Sequence, residues 1–106
     1  MNEFENMKSI ADAIELYIKI KSNRFSFSKI ESSEIYINIF LEELISSSIH
    51  VIVRNDRHVW FSYKDKASWS NPKMFIILDK MLDDMMRIHD NKIANIVKIV
   101  SNADEV

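Results

Sequence analysis

Apolar residues recur at helical spacing near both ends of the chain, and they alternate with polar residues in the middle. Near the N-terminus, apolar side chains lie three or four residues apart at Phe4, Met7, Ala11, Ile14 and Ile18. This spacing predicts an amphipathic helix over residues 3–21, because such positions share one face of an α-helix. A second series predicts a long helix that begins at Asn71 and Pro72 and runs to about Val100. The alternative is a kink or an end at residues 89–91, followed by a second short helix. We expect residues 101–106 to fray.

Residues 24–40 allow two interpretations. The segment RFSFSKI alternates like a strand, whereas SKIE, with Ser28 and Glu31, matches a helix capping box. Further on, helical spacing is found at Phe40, Leu41, Leu44 and Ile45. We therefore favour a short strand followed by two helices, at 24–27, 28–32 and 34–47. The alternative is a second hairpin, in which residues 24–30 pair with 34–40.

Residues 49–64 alternate on both sides of Asn55 and Asp56, which predicts a β-hairpin with a two-residue turn. Such a turn usually needs positive φ at both positions, and Asn and Asp tolerate this better than most residues. The register that follows has three opposed pairs: Arg54 with Arg57, Ile52 with Val59, and His50 with Phe61. Two opposed arginines should repel. The segment DKASWSNPK is then the connection to the long helix.

The composition indicates one globular domain over residues 1–106, with 47% hydrophobic and 28% charged residues. A net charge of −2 provides no general attraction to nucleic acid, so any such contact must come from a local patch. The chain has no cysteine, no basic start before an apolar run, and no apolar run near the ~18 residues of a membrane span. We expect a cytoplasmic protein with no membrane contact.

The sequence contains no glycine. Phosphate-binding loops, dinucleotide fingerprints and the nucleophile elbow all require glycine where the backbone turns sharply or approaches a ligand. The three histidines have no second ligand at helical or strand spacing. We therefore expect no enzymatic activity, no cofactor and no metal site.

The segment LEELISSSIHVIVRNDRHVWFSY, residues 41–63, resembles the end of the recognition helix and the wing of ArsR-like and PadR-like winged-helix repressors. Leu41 and Leu44 match the end of that helix, Ile49 the first wing strand, and residues 54–57 the basic turn. The resemblance implies a winged-helix-like α+β fold in the order helix, strand, helix, helix, β-hairpin, long C-terminal helix. The alternative interpretation of residues 24–40 instead implies a four-stranded antiparallel sheet flanked by N- and C-terminal helices.

The resemblance also implies a homodimeric DNA-binding regulator of transcription. Candidate contacts to double-stranded DNA are polar or basic residues of the helix, the turn and the return strand: Tyr36, Asn38, Arg54, Asn55, Arg57, Lys64 and Lys66. The long helix carries more apolar residues than one stripe needs, which suggests a partner. Candidate dimer contacts there are Leu78, Met81, Met85 and Ile88.

The predicted recognition helix is acidic, which favours a second function. It contains Glu34, Glu42 and Glu43 and no Lys or Arg, so it would oppose a DNA duplex. These carboxylates would instead suit a basic protein partner. The alternative hypothesis is therefore a small inhibitor, immunity or antagonist protein from a mobile element, which blocks a basic nucleic-acid-processing protein.

Overall fold

The computed structural model describes residues 3–42, 47–70 and 73–104. Within these ranges one helix precedes and one helix follows five strands. The order along the chain is α1 (Glu3–Lys21), β1 (Phe25–Glu31), β2 (Ile35–Leu41), β3 (Ile49–Val53), β4 (Val59–Tyr63), β5 (Lys66–Ser70) and α2 (Met74–Asp104). The strands form one antiparallel sheet in which each strand pairs with its neighbour in sequence. The fold is α+β, as expected.

Both helices pack against the same face of the sheet, which we call the inner face. The helices contribute the buried residues Met7, Ala11, Ile14, Ile18, Leu78, Met81, Leu82 and Met85. The three central strands contribute every second residue: Ile35, Ile37, Ile39 and Leu41, then Ile49, Val51 and Val53, then Val59, Phe61 and Tyr63. This core joins two periodicities, one of 3.6 residues in the helices and one of 2 in the strands.

The favoured helices at 28–32 and 34–47 are wrong, and the second hairpin is confirmed. β1 continues to Glu31 and pairs with β2, with Phe25 opposite Leu41 and Glu31 opposite Ile35. Alternate isoleucines of β2 are fully buried, and β-branched side chains suit a pleated surface better than a helix. The helical spacing around residue 41 includes positions 43–46, which lie outside the described residues.

The β3–β4 turn has three residues rather than the two that the sequence suggested. The amide of Arg57 donates to the carbonyl of Arg54 over 3.1 Å. The amide of Arg54 donates to the carbonyl of His58 over 3.0 Å. Arg57 has a φ of 70°, the left-handed conformation that follows a type I turn in such loops. Asp56 Oδ1 also accepts from the His58 amide at 3.1 Å. Arg54 therefore faces His58, and the predicted opposition to Arg57 is wrong.

This extra residue shifts the whole hairpin register by one position. His50 pairs with Ser62, Val51 with Phe61 and Val53 with Val59. Because side chains alternate along a strand, a one-residue shift exchanges the two faces of β3 relative to β4. Val51 and Val53 consequently join Phe61 in the core, while Ile52 and Trp60 lie on the outer face.

β5 occupies part of the segment that was predicted as a connection. It follows β4 after the two-residue turn of Lys64 and Asp65, with Tyr63 opposite Lys66. Lys64 has a φ of 56°, which lets the chain reverse there without glycine. The sheet thus has one strand more than the predicted four-stranded alternative.

The long C-terminal helix is confirmed, although its predicted cap, Asn71 and Pro72, lies outside the described residues. α2 runs through Asp104, beyond the expected end at Val100. Its residues 91–102 are all exposed, so the helix extends past the sheet. The molecule is correspondingly elongated, with extents of 66 × 22 × 20 Å. In the described ranges, neither helix combines the length and apolarity required to cross a bilayer.

Candidate sheet-face binding site

The outer face of the sheet is the side opposite the two helices, and it carries a row of large apolar side chains. Ile30 pairs with Tyr36, Tyr36 with Ile52, and Ile52 with Trp60, so these residues lie side by side across four strands. Ile30 is 62% and Tyr36 38% exposed, while Ile52 and Trp60 are half-buried. We call these four residues the apolar row.

A charged pair borders the apolar row along the side that is nearest the β3–β4 turn. Arg54 Nε lies 3.5 Å from Glu34 Oε1, and the Tyr36 hydroxyl donates to Glu34 Oε2 over 3.2 Å. The hydrogen bond to Glu34 raises the pKa of Tyr36 above its usual value, since the carboxylate favours the protonated phenol. A depression of about 280 Å³ is lined by Glu34, Ile52, Arg54 and Trp60. It offers an apolar wall beside one charge of each sign.

A polar row runs beside the apolar row, toward the opposite end of the strands. His50 Nδ1 lies 2.5 Å from Asn38 Oδ1, and His50 Nε2 lies 3.2 Å from Ser48 Oγ. If Nδ1 carries the proton and donates to Asn38, Nε2 accepts from the Ser48 hydroxyl. For Ser48 and His50 to carry out acyl transfer, the site would also need to exclude water and to supply hydrogen-bond donors for an oxyanion. His50 is exposed on an open sheet face, so we interpret these contacts as holding the imidazole in place.

The structure divides the residues proposed to contact DNA into two groups. Tyr36 and Asn38 lie on the outer face of β2, and Arg54, Asn55 and Arg57 belong to the turn beyond β3. The remaining two, Lys64 and Lys66, lie at the other end of β4. Five residues of a strand span roughly 17 Å, so the four cations do not form one cluster. Lys66 Nζ also lies 3.7 Å from Asp84.

The predicted dimer contacts on α2 face the core instead. Leu78 is 0%, Met81 6% and Met85 3% exposed, and Ile88 packs partly buried against the same cluster. The sheet of the same chain covers these residues, and a partner at this helix stays a prediction. Their apolar stripe is the one that a helix needs to pack on a single sheet.

The glutamates proposed to meet a basic protein differ in their surroundings. Glu34 borders the depression described above. Glu42 is bridged by Arg24, which also lies 2.7 Å from Asp90 through Nη2. The pKa of Asp90 falls below its usual value, mainly because Arg24 donates to it and also because His89 lies beside it. Glu42 is thus engaged inside the chain, and Glu43 lies outside the described residues.

Ile30, Ile52 and Trp60 are the residues of this surface that the sequence analysis missed. For Ile52 and Trp60, the signal that could have found them is the three-residue turn, which places Ile52 beside Trp60. In the described ranges, no group of histidines and carboxylates is arranged to hold a metal ion. No protein-family model, curated protein or solved structure matches the chain, so the winged-helix resemblance receives no support from such comparisons.

Proposed function

We propose that this protein is a non-enzymatic binding module that captures another protein on the outer face of its sheet. The observation that carries this proposal is the apolar row, with Tyr36 and Ile30 exposed on the face opposite both helices. Aromatic side chains and arginine beside a small pocket are the residues that dominate binding energy in protein interfaces. Tyr36, Trp60 and Arg54 supply that combination around the depression.

Charge favours a protein partner over a DNA duplex. Duplex affinity rests on the number of phosphates that cations neutralise. The arginines near this face are Arg54 and, in the β3–β4 turn, Arg57, and Arg54 already lies against Glu34. A basic protein suits the chain better, because the net charge of −2 would speed its approach. An inhibitor or antagonist of a basic nucleic-acid-processing protein is the corresponding biological role.

Capture from the native cell, followed by affinity measurement with the isolated partner, tests this proposal. We expect Tyr36→Ala and Ile30→Glu each to weaken binding at least about tenfold, as truncation of a central interface contact does. Ile20→Glu is the matched control, since Ile20 is 74% exposed on α1, away from the sheet face. A partner that binds all three variants equally, or a clean failure to capture any protein, would exclude the outer face as the docking surface.

A second candidate function, binding of single-stranded nucleic acid by a regulator, is favoured by a separate observation. Tyr36 and Trp60 are separated by one strand, which places them about 10 Å apart on an open sheet. Bases stack on such aromatic platforms without a recognition helix. Asn55 and Arg57 lie in the β3–β4 turn, beyond the ends of β3 and β4, where they would contact the sugar–phosphate backbone of the nucleic acid.

Binding of labelled oligonucleotides at low salt tests this candidate. We expect single strands to bind more tightly than duplexes, with Trp60→Ala and Arg57→Ala both weakening the complex. With so few cations, the logarithm of affinity should fall by only about 1–2 units per tenfold rise in salt. If neither form binds at low salt, the nucleic-acid function is excluded and protein capture remains.

A further inference from the structure

The second half of α2 exposes an apolar stripe that no described part of its own chain covers. We call residues 91–104 the distal helix. Its exposed apolar side chains, with their exposed fractions, are Ile93 (36%), Ile96 (54%), Val97 (58%), Ile99 (67%) and Val100 (55%). Solvated helix surfaces normally carry polar residues, so a stripe of this size marks a surface for a partner.

The stripe continues the line of residues that packs α2 against the sheet. Leu82, Met85 and His89 are buried, and the same three- and four-residue spacing then leads to Ile93, Ile96 and Val100. The distal helix therefore presents its apolar side in the direction of the sheet, but beyond the sheet's end. The space beside it is a place where a second helix could pack.

We propose that a second copy of this chain fills that space, with the two distal helices packed antiparallel about a two-fold axis between Ile96 and Val97. In this register Ile93 lies against Val100 of the second copy, and Ile96 against Val97 of the second copy. Every apolar residue near the axis thus meets an apolar residue. The arrangement is isologous and closes as a dimer.

Two features of the chain favour the antiparallel direction. The apolar stripe lies on the side of α2 that holds the sheet, so a parallel partner helix would bring its own sheet into the same space. Packed helices lie only 8–10 Å apart, whereas each molecule is about 20 Å wide. Antiparallel helices place the two sheets at opposite ends. In that register Lys92, which flanks the contact, lies opposite an uncharged residue, Ser101 of the second copy.

The contact is short, which makes the dimer dependent on concentration. Fourteen helical residues span about 21 Å, and two such helices bury less than the ~800 Å² per partner of a standard interface. We expect a monomer of 12.5 kDa at low concentration and a dimer in concentrated solution. This inference is independent of the outer sheet face, and neither proposal requires the other.

Engineered cysteines test the direction of pairing without interference, because the described chain has no cysteine of its own. Near the axis, Val97→Cys should form a disulfide-linked dimer under mild oxidation. Ile93→Cys and Val100→Cys should each fail alone, since equivalent residues would lie about 10 Å apart along the axis. An equal mixture of these two variants should cross-link. Efficient cross-linking of Ile93→Cys alone would show parallel helices and overturn the proposal.

Light scattering over a range of concentrations tests the dimer itself. Ile96→Glu should keep the protein monomeric at concentrations where the wild type dimerises, and should leave its circular dichroism unchanged because Ile96 is exposed in the monomer. Ile76→Glu is the matched control: Ile76 is 70% exposed near the start of the same helix, and this variant should dimerise normally. A wild type that remains monomeric at millimolar concentration overturns the proposal, as does a dimer that Ile96→Glu leaves intact.

Discussion

At the scale of single residues, the chain reverses direction without glycine by placing ordinary side chains in the left-handed region. In the described ranges Glu42, Arg57 and Lys64 have φ values of 53°, 70° and 56°. Each conformation costs about 1–2 kcal/mol for a residue with a Cβ atom. The sheet holds them there, since two of the three lie in turns between paired strands. Asp56 supports its turn through hydrogen bonds with the His58 side chain and then with the His58 amide, and these lower the pKa of the Asp56 carboxyl.

Lys64 allows this cost to be measured. Lys64→Gly and Lys64→Ala both remove the ammonium group, which lies 5.9 Å from the centre of the Tyr63 ring. We expect the glycine variant to be more stable than the alanine variant by about 1 kcal/mol, because only alanine keeps the Cβ clash at positive φ. Urea unfolding of both proteins gives the difference.

Ser62 within β4 provides the control for that comparison. At an extended position glycine destabilises the fold by about 0.5–1 kcal/mol relative to alanine. The Ser62→Ala variant should therefore be more stable to urea than the Ser62→Gly variant. An alanine variant at Lys64 as stable as the glycine variant would show that the turn does not hold a strained conformation.

At the scale of secondary structure, turn length decides which side of each strand becomes core. β2 could be assigned from alternating isoleucines, but β3 and β4 are apolar on both faces, so the pattern permits either orientation. The three-residue turn selects one of them by setting Val53 opposite Val59. At the sheet's edge, Lys29 points inward and pairs with Glu15 at 3.1 Å. An inward charge on an edge strand discourages pairing with other chains.

Neighbouring substitutions on β3 test this register. Val51 is 1% exposed against the helices, whereas Ile52 lies on the outer face. We expect Val51→Asn to destabilise the fold by about 3 kcal/mol or more, because a polar amide enters the core. Ile52→Asn should cost about 1 kcal/mol or less. Thermal unfolding distinguishes the two registers. With Val59 and Phe61 in the core, the two-residue turn would place Ile52 in the core and Val51 outside it, and it predicts the reverse order.

At the scale of the whole molecule, polar side chains at the surface join α1 to α2 where both lie on the inner face of the sheet. The Tyr17 hydroxyl donates to Asp79 Oδ1 over 2.5 Å, and Lys21 Nζ lies 2.8 Å from Asp79 and 2.7 Å from Asp83. The hydrogen bond from Lys21 and then that from Tyr17 lower the pKa of Asp79 below its usual value of 3.8. A carboxyl with a lowered pKa stabilises the folded state while it is ionised.

Asp79 should therefore make stability depend on pH in acid. Above pH 3.8 the free energy of unfolding of the wild type should exceed that of Asp79→Asn by up to about 1 kcal/mol, which is typical of a partly exposed ion pair. The difference should shrink as the pH falls through the lowered pKa, because both proteins then carry a neutral group. Asp12→Asn, at an exposed position on α1, is the control. A difference that is the same at pH 7 and pH 2.5 would contradict the role of the charge.

The sequence by itself determined the features that depend on local periodicity: the two amphipathic helices, the hairpin around residue 55, and the α+β class. It also determined that sharp turns must use residues other than glycine. The choice between helix and strand at 34–41 was made by tertiary structure, because only a sheet lets alternate isoleucines of β2 meet both helices. Tertiary structure also set the register of β3 on β4. One additional turn residue moved Ile52 away from Val59 and Phe61 to the outer face, beside Trp60, and so completed the apolar row.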